Sequence, residues 1–324
     1  MIVRDKAMKK ILVCGATGFI GRNIATYFSK KEGCQVYGVY HRQEPWDCKN
    51  ITFLKADLRE KAQVDQVVQG MDIIIQAAAT TSGSKDIVSQ PYIHVTDNAV
   101  MNSLIFRSAY EANVGHVVFF SCGVMYQPSG IPVKETDFNA NIGLLPQYFG
   151  VGWTKVYIEK MCEFYAGISA TKYTVLRQSN IYGPYDKYDY EHSHMFGATV
   201  RKVMDAKEGD TVVIWGEGTE GRDLLYVDDV VDFVERAIRL QEGKFELCNV
   251  GFGHAFSVNE VVEKVIALSG KKLGISHDLG QPSIPTHLSF NIGKAQNLFG
   301  WKPKIGLEEG IKKTLRWYQE SGRI

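Results

Sequence analysis

The chain has no paired cysteines. Its six, Cys14, Cys34, Cys48, Cys122, Cys162 and Cys248, are scattered without a single Cys-x-x-Cys. That argues against a zinc site or a disulfide framework, leaves no metal expected, and fits reduced thiols in a cytoplasmic compartment. No sign of charge predominates either: the formal net charge is +1, so neither nucleic acid nor a membrane surface is expected as a partner. No apolar run approaches membrane-spanning length. Residues 1–10 are charged and lack the apolar core of a signal peptide, with Met8 the expected start of the folded part. Internal repeats and low-complexity linkers are missing as well. What is present is 324 residues of 45% hydrophobic content, enough to bury a large core.

The most informative stretch is Ile11-Leu12-Val13-Cys14-Gly15-Ala16-Thr17-Gly18-Phe19-Ile20-Gly21. An apolar run ending in three spaced glycines reads as a buried parallel strand turning into a helix. Each glycine has a physical role: a sharp turn at Gly15, backbone approach to a pyrophosphate at Gly18, and close helix-on-sheet packing at Gly21. Phosphates would rest on the N–H groups at the helix start, against Thr17, Gly18, Phe19 and Ile20. A second strand at Gln35 to Tyr40 completes a βαβ unit. This context favours a dinucleotide site over a purely structural turn.

Further along, strands and helices alternate. Strands are expected at 51–56, 72–77, 116–120 and 173–177, and helices at 19–30, 59–69, 96–112 and 152–166. That rhythm predicts an α/β fold with a doubly wound (Rossmann) parallel sheet and the nucleotide across its switch point. The dinucleotide-binding domain is placed at 8–179. Residues 180–324 read as a smaller, mainly substrate-binding C-terminal region, with room for some chain to return to the first sheet. Within it Ser257-Val258-Asn259-Glu260 is a capping box whose helix stops at Gly270, and a last helix spans 307–318.

The end of the second strand distinguishes the two nicotinamide cofactors, because a carboxylate there pairs with ribose hydroxyls and a cation accepts a 2′-phosphate. The sequence has Tyr40-His41-Arg42 and no acid. Arg42 favours NADP, with NAD left open, and a merely solvated arginine is the bland alternative. Asp57-Leu58 suits the adenine edge, although Asp57 could instead cap the next helix. Ala77-Ala78-Ala79 offers small side chains where a cofactor passes.

Taken together, these stretches resemble the extended short-chain dehydrogenase/reductase superfamily, in its NDP-sugar epimerase/dehydratase group, over nearly the whole chain. Asn180-Ile181-Tyr182-Gly183-Pro184, the segment from Gly221-Arg222-Asp223 to Asp228-Asp229, and Gly300-Trp301-Lys302-Pro303 match its signatures. Glu191-His192-Ser193-His194 and Trp215-Gly216 are most similar to GDP-fucose synthase-like GDP-sugar enzymes. The resemblance implies that Asn180 touches sugar or diphosphate, that Arg222 clamps the diphosphate, and that Lys202, Trp215 and His194 belong to the substrate site. Trp215 as core filler and Arg222 paired to Asp223 or Asp228 stay open as structural alternatives. It also implies polysaccharide biosynthesis as the setting, and a homodimer in which the helix from Thr96 and the helix after Val151 form a four-helix bundle.

The chain departs from the family at its catalytic centre. The family uses a tyrosine four residues before a lysine on one helix, the phenol exchanging a proton and the lysine lowering its pKa and binding the nicotinamide ribose. Here Lys155 is present and the tyrosine position holds Val151. The companion Ser/Thr is Cys122, and the cysteine base of GDP-fucose synthase maps to Val124, while its partner acid matches His194. Tyr148, Cys122, a bound water or the substrate itself remain as proton carriers. His194 is an acid/base candidate by its intrinsic pKa or else an ordinary surface histidine. The resulting expectation is an oxidoreductase moving hydride between carbon 4 of a GDP-hexose or GDP-heptose and a nicotinamide. The alternatives are an epimerase/dehydratase with atypical acid/base residues, and a protein that binds both ligands without turnover.

Overall fold

A computed structural model of the chain describes residues 8–80, 90–190, 192–281, 284 and 286–322. Residues 1–7 and Glu191 of the sequence motifs lie outside the described residues. The fold grows from β1 (Lys9–Cys14), which pairs in parallel with β2 (Cys34–Tyr40) on one side and β4 (Ile73–Gln76) on the other. With β3 (Ile51–Lys55), β5 (His116–Cys122), β6 (Lys172–Gln178) and β10 (Phe245–Val250), these strands form a seven-stranded sheet ordered β10-β6-β5-β4-β1-β2-β3. Every pairing in it is parallel. From β1 the chain runs outward to β3 and then returns across β1 to β4, so the order reverses there and a crevice opens beyond the strand ends.

Both faces of the sheet are covered, which is why its strands are continuous apolar runs. Side chains of β1 alternate: Ile11 and Val13 point into a cluster with α1 (Phe19–Phe28) and α6 (Val227–Leu240), whereas Leu12 and Cys14 point into one with α2 (Lys61–Val68), α3 (Thr96–Glu111) and α4 (Phe149–Ile168). Met101 and Ile105 of α3 are consumed by that second cluster. Val100 on α3, with Tyr157 and Phe164 on α4, remain exposed.

Of the boundaries that differ from the sequence reading, two matter for the site. Strand β5 continues past Phe120 to Cys122, because Ser121 and Cys122 keep their register with Arg177 and Gln178. The buried Ser121 hydroxyl is satisfied by donating to Glu159 at 2.6 Å. Helix α4 begins at Phe149, three residues before Gly152, after a 3-10 turn at Pro146–Tyr148.

Beyond β6, β7 (Asn180–Tyr182), β9 (Gly221–Tyr226), β11 (Ala255–Ser257) and β13 (His287–Leu288) form a mixed sheet, and β8 (Thr211–Trp215) pairs with β12 (Gly274–Asp278). They pack with α5 (Met195–Asp205), α7 (Val258–Ser269) and α9 (Leu307–Glu320) around a third core. The Ser257 hydroxyl accepts the Glu260 N–H at 3.1 Å, and Gly270 stops α7 with φ 77°. Asp229 ties the C-terminal signature down: its carboxylate accepts the N–H of Lys304 and Ile305, and its carbonyl accepts the fully buried Trp301 indole N–H. Helix α8 (Gly293–Phe299) and α6 pack beside β10, so chain from both halves builds the first sheet.

Candidate active site

Strand β1 delivers the chain into the turn at Gly15, whose φ of 74° is left-handed. A Cβ there would come within 2.8 Å of Ala78 Cα, and one on Gly21 would meet the Gly15 carbonyl oxygen at 2.1 Å. Those two positions hold glycine because backbone packs directly on backbone. Gly18 is different: a Cβ would meet only the Gly15 oxygen, at 3.3 Å, leaving its other side open. Helix α1 follows with Gly18 as N-cap and no side chain capping it, so the first-turn N–H groups are available to an anion.

This turn forms part of a cavity of about 940 Å³. Gly15, Thr17, Gly18, Phe19 and Ile20 line the part of it at the glycine turn. Ala77, Ala78 and Ala79 line its floor, where β4 ends. Arg42 stands at the end of β2, exposed and without a hydrogen bond or ion pair among the described residues. Asp57 and Leu58 lie beside it. The Asp57 carboxylate is held by Arg59 at 2.8 and 3.0 Å and is approached by His41, and the Arg59 interaction pulls its pKa down to about 2. It therefore serves as the anchor of Arg59 and does not cap α2, whose N-cap is Glu60.

A further part of the lining comes from β5 and α4. Lys155 donates from Nζ to the Phe120 carbonyl at 2.8 Å, and burial lowers its pKa. Cys122 lines the cavity close enough to feel the lysine charge, and burial raises its thiol pKa. Val151 and Val124 also line the cavity, giving an apolar wall where the family pattern places proton-transfer groups. Behind them a buried ion pair, Arg177 to Glu159 at 2.7 Å, fixes α4 against the sheet. The early start of α4 makes Tyr148 its N-cap, one turn ahead of Val151. Tyr148 is not among the cavity-lining residues. Its phenol nevertheless feels Arg222 and Cys122 electrostatically, while burial raises its pKa.

Asn180, Arg222 and His194 also line the cavity. Asn180 donates to the Asp223 carbonyl at 3.2 Å. Arg222 is held by the carbonyls of Ile284 and Thr286, at 3.0 and 2.8 Å, and no carboxylate pairs with it among the described residues. This rules out the pairing with Asp223 or Asp228: the Asp223 carboxylate is occupied by the N–H groups of Phe252, Gly253 and Phe290. His194 is exposed by surface area because its ring faces the open cavity, yet protein surrounds it. That burial, with Lys187 and His94 nearby, lowers its pKa. Lys202 and Trp215 sit apart from this lining: Lys202 Nζ donates to the Val213 carbonyl at 2.7 Å and lies 5.5 Å from the Trp215 ring centroid. Among the lining residues that escaped sequence reasoning are His94 and Asp186. The only signal for Asp186 was its place in a polar-aromatic loop following Gly183-Pro184.

Comparison with known proteins places this geometry. The profile of the NAD dependent epimerase/dehydratase family matches residues 11–251. GDP-L-fucose synthase of Azorhizobium caulinodans is 28% identical over 319 residues, covering 96% of each chain. GDP-L-colitose synthase of Yersinia pseudotuberculosis is 26% identical, covering 95% of this chain and 97% of its own. Among solved structures, UDP-glucose 4-epimerase of Thermotoga maritima with UDP-glucose superposes with a TM-score of 0.85 at 24% identity, over 96% of this chain and 99% of that one, a likeness of fold. The family match spans most of the chain and begins on the strand that feeds the glycine turn, and on that ground the protein belongs to the NAD dependent epimerase/dehydratase family, of the extended short-chain dehydrogenase/reductase type.

Proposed function

We propose that this protein is a nucleotide-sugar oxidoreductase that moves hydride between carbon 4 of a GDP-hexose or GDP-heptose and a nicotinamide dinucleotide. The observation carrying this reading is that one cavity joins the Gly15–Gly18 turn to Lys155, Asn180 and Arg222. The fit to a dinucleotide rests on the turn itself, with Gly18 open to the cavity and the uncapped N–H groups of α1 beside it. When bound, the nicotinamide supplies the hydride acceptor or donor. Lys155, already oriented by the Phe120 carbonyl, meets the ribose of that half. Arg42, exposed and without a described partner, favours the 2′-phosphate of NADP over NAD. The GDP portion follows from the named relatives and from His194 in the cavity, with Lys202 and Trp215 as the outlying pair for the nucleotide.

Proton transfer cannot be assigned to Val151. Tyr148 is the first replacement by its place one turn ahead of Val151; Arg222 favours its phenolate, but burial outweighs that and raises its pKa. Cys122 is the second, Lys155 favouring its thiolate although burial raises its pKa, and His194, whose pKa burial lowers, is the acid/base candidate in the same cavity. The apolar pair Val124 and Val151 supports a competing reading, a protein that binds dinucleotide and sugar nucleotide without turnover. Epimerisation or dehydration with atypical acid/base groups is the alternative within the family.

The working assembly is a homodimer through α3 and α4. Support comes from the exposure of Tyr157 and Phe164, 52% and 59%, on a helix whose other face is already buried. Six free cysteines fit a cytoplasmic setting, and polysaccharide biosynthesis is the corresponding context. The test is a near-ultraviolet spectrum and ligand mass analysis of the purified protein, repeated after adding GDP-sugars. Bound nicotinamide whose redox state responds to a GDP-sugar supports the enzyme, and both ligands bound with an unchanging spectrum supports the binding protein.

A further inference from the structure

One buried carboxyl group in the cavity has no part in the chemistry described above. Asp186 lines the cavity and is only 6% exposed. It sits in an unusual loop, in which Gly183 has φ 139° and Tyr185, not a glycine, has φ 72°. Such a conformation persists only where the surroundings hold it. Here the Tyr185 ring lies 4.0 Å from the Arg22 guanidinium, which also lies 4.4 Å from Trp46. Asn23 donates to the Pro184 carbonyl at 2.9 Å. Both anchors are on α1, so the loop is fastened to the helix that follows the glycine turn.

The Asp186 Oδ1 atom accepts the Lys187 N–H at 2.7 Å, and no other hydrogen bond or ion pair reaches the carboxyl among the described residues. Lys187 and Asp189 are the charged groups felt by it, with opposite effects, and burial outweighs both, pushing its pKa up to about 7. His194 at the head of α5 and His94 before α3 line the same cavity, and Arg22 lies behind Tyr185.

We propose that Asp186 is a recognition residue whose neutral carboxyl donates a hydrogen bond to an anionic oxygen of a diphosphate-bearing ligand, so that binding takes up one proton from solvent. An ionised carboxylate has no proton to donate and repels an anion in a poorly screened cavity. The anion in turn stabilises the neutral carboxyl, which is the reciprocal side of the same linkage. This rests on reading the cavity as a nucleotide site and requires no turnover.

The test is isothermal titration of NADP, NAD and GDP-mannose separately into the full-length protein, in two buffers of different ionisation enthalpy, across roughly pH 6 to 8. The expected result is proton uptake with one of these ligands near neutrality, and a Kd for it that rises about tenfold over that range, as it does when only the protonated form binds. In Asp186→Asn both the uptake and this pH dependence vanish while the ligand still binds. Comparison with Asp186→Asn separates this effect from any titration of His194, whose pKa burial lowers. Infrared difference spectra of the wild-type protein give a readout without substitution: a protonated-carboxyl band lost on raising the pH and restored by the ligand. Binding without proton uptake, or uptake that survives in Asp186→Asn, overturns the proposal and leaves the nucleotide reading intact. Failure of all three ligands to bind overturns both.

Discussion

Substituting Val151 by tyrosine places a phenol four residues before Lys155, on a helix where both positions face the cavity. The lysine is already in place, its Nζ fixed 2.8 Å from the Phe120 carbonyl. A positioned acid/base group typically contributes about 100- to 10,000-fold in rate, or about 3–5 kcal/mol of barrier. Against this stands the larger volume of a phenol than an isopropyl group. Val151 is half-buried but cavity-facing, so most of the ring extends into open space. Overpacking, at roughly 1–3 kcal/mol, falls on stability more than on rate. The assay is single-turnover oxidation of a GDP-sugar with saturating dinucleotide, compared at several pH values, with melting temperature as the check on folding. The variant is expected to be at least 100-fold faster. A variant that folds and binds both ligands yet is no faster refutes the idea that the missing phenol limits the wild type. In that case Tyr148→Phe and Cys122→Ala identify the carrier in use, and if neither slows a wild type that turns over, both assignments are wrong.

Gly18→Val should abolish dinucleotide binding with little loss of fold, because the position is open to the cavity and only the Gly15 oxygen is near; unchanged affinity by calorimetry contradicts this. Arg42→Ala should narrow the preference for NADP over NAD by about 1 kcal/mol or more, and equal binding of the two by the wild type defeats the assignment. Asp186 has a folded-state pKa of about 7, well above its unfolded value, so the folded form holds the proton more tightly. Stability relative to Asp186→Asn is therefore greatest at low pH and is lost by up to about 1.4 kcal/mol per unit as pH rises through roughly 4 to 7; parallel denaturation curves at both ends of that window contradict it. Light scattering at micromolar concentration should give a dimer, and a Tyr157→Glu, Phe164→Glu variant a monomer.

The parallel sheet was legible because each strand is a local apolar run, and the glycine turn because Gly15 and Gly21 carry backbone-on-backbone contacts that only glycine permits, with Gly18 open to the cavity between them. What the sequence concealed is non-local. Ser121 and Cys122 look like loop residues until Glu159, 38 positions away, satisfies the serine. The partners of Arg222 are carbonyls 62 and 64 residues further on, and the carboxylate beside it in sequence is spent on backbone N–H groups elsewhere. Lys202 and Trp215 were grouped with the substrate residues by pattern, yet they pack on each other away from the cavity lining. Asp186 could not be singled out from sequence, since its altered acidity comes from burial and from a loop folded back by Arg22 and Asn23.

The central claim is hydride transfer between a GDP-sugar and a dinucleotide held in one cavity, and it can be tested by mixing the protein and oxidised dinucleotide with GDP-sugars deuterated at carbon 4. Mass spectrometry of the recovered nicotinamide then reads the transfer in a single turnover. The account predicts deuterium on the nicotinamide ring with one of the GDP-sugars, and none with Gly18→Val. Dinucleotide and GDP-sugar bound together, with no deuterium moving for any sugar, contradicts it and makes the protein a binding module.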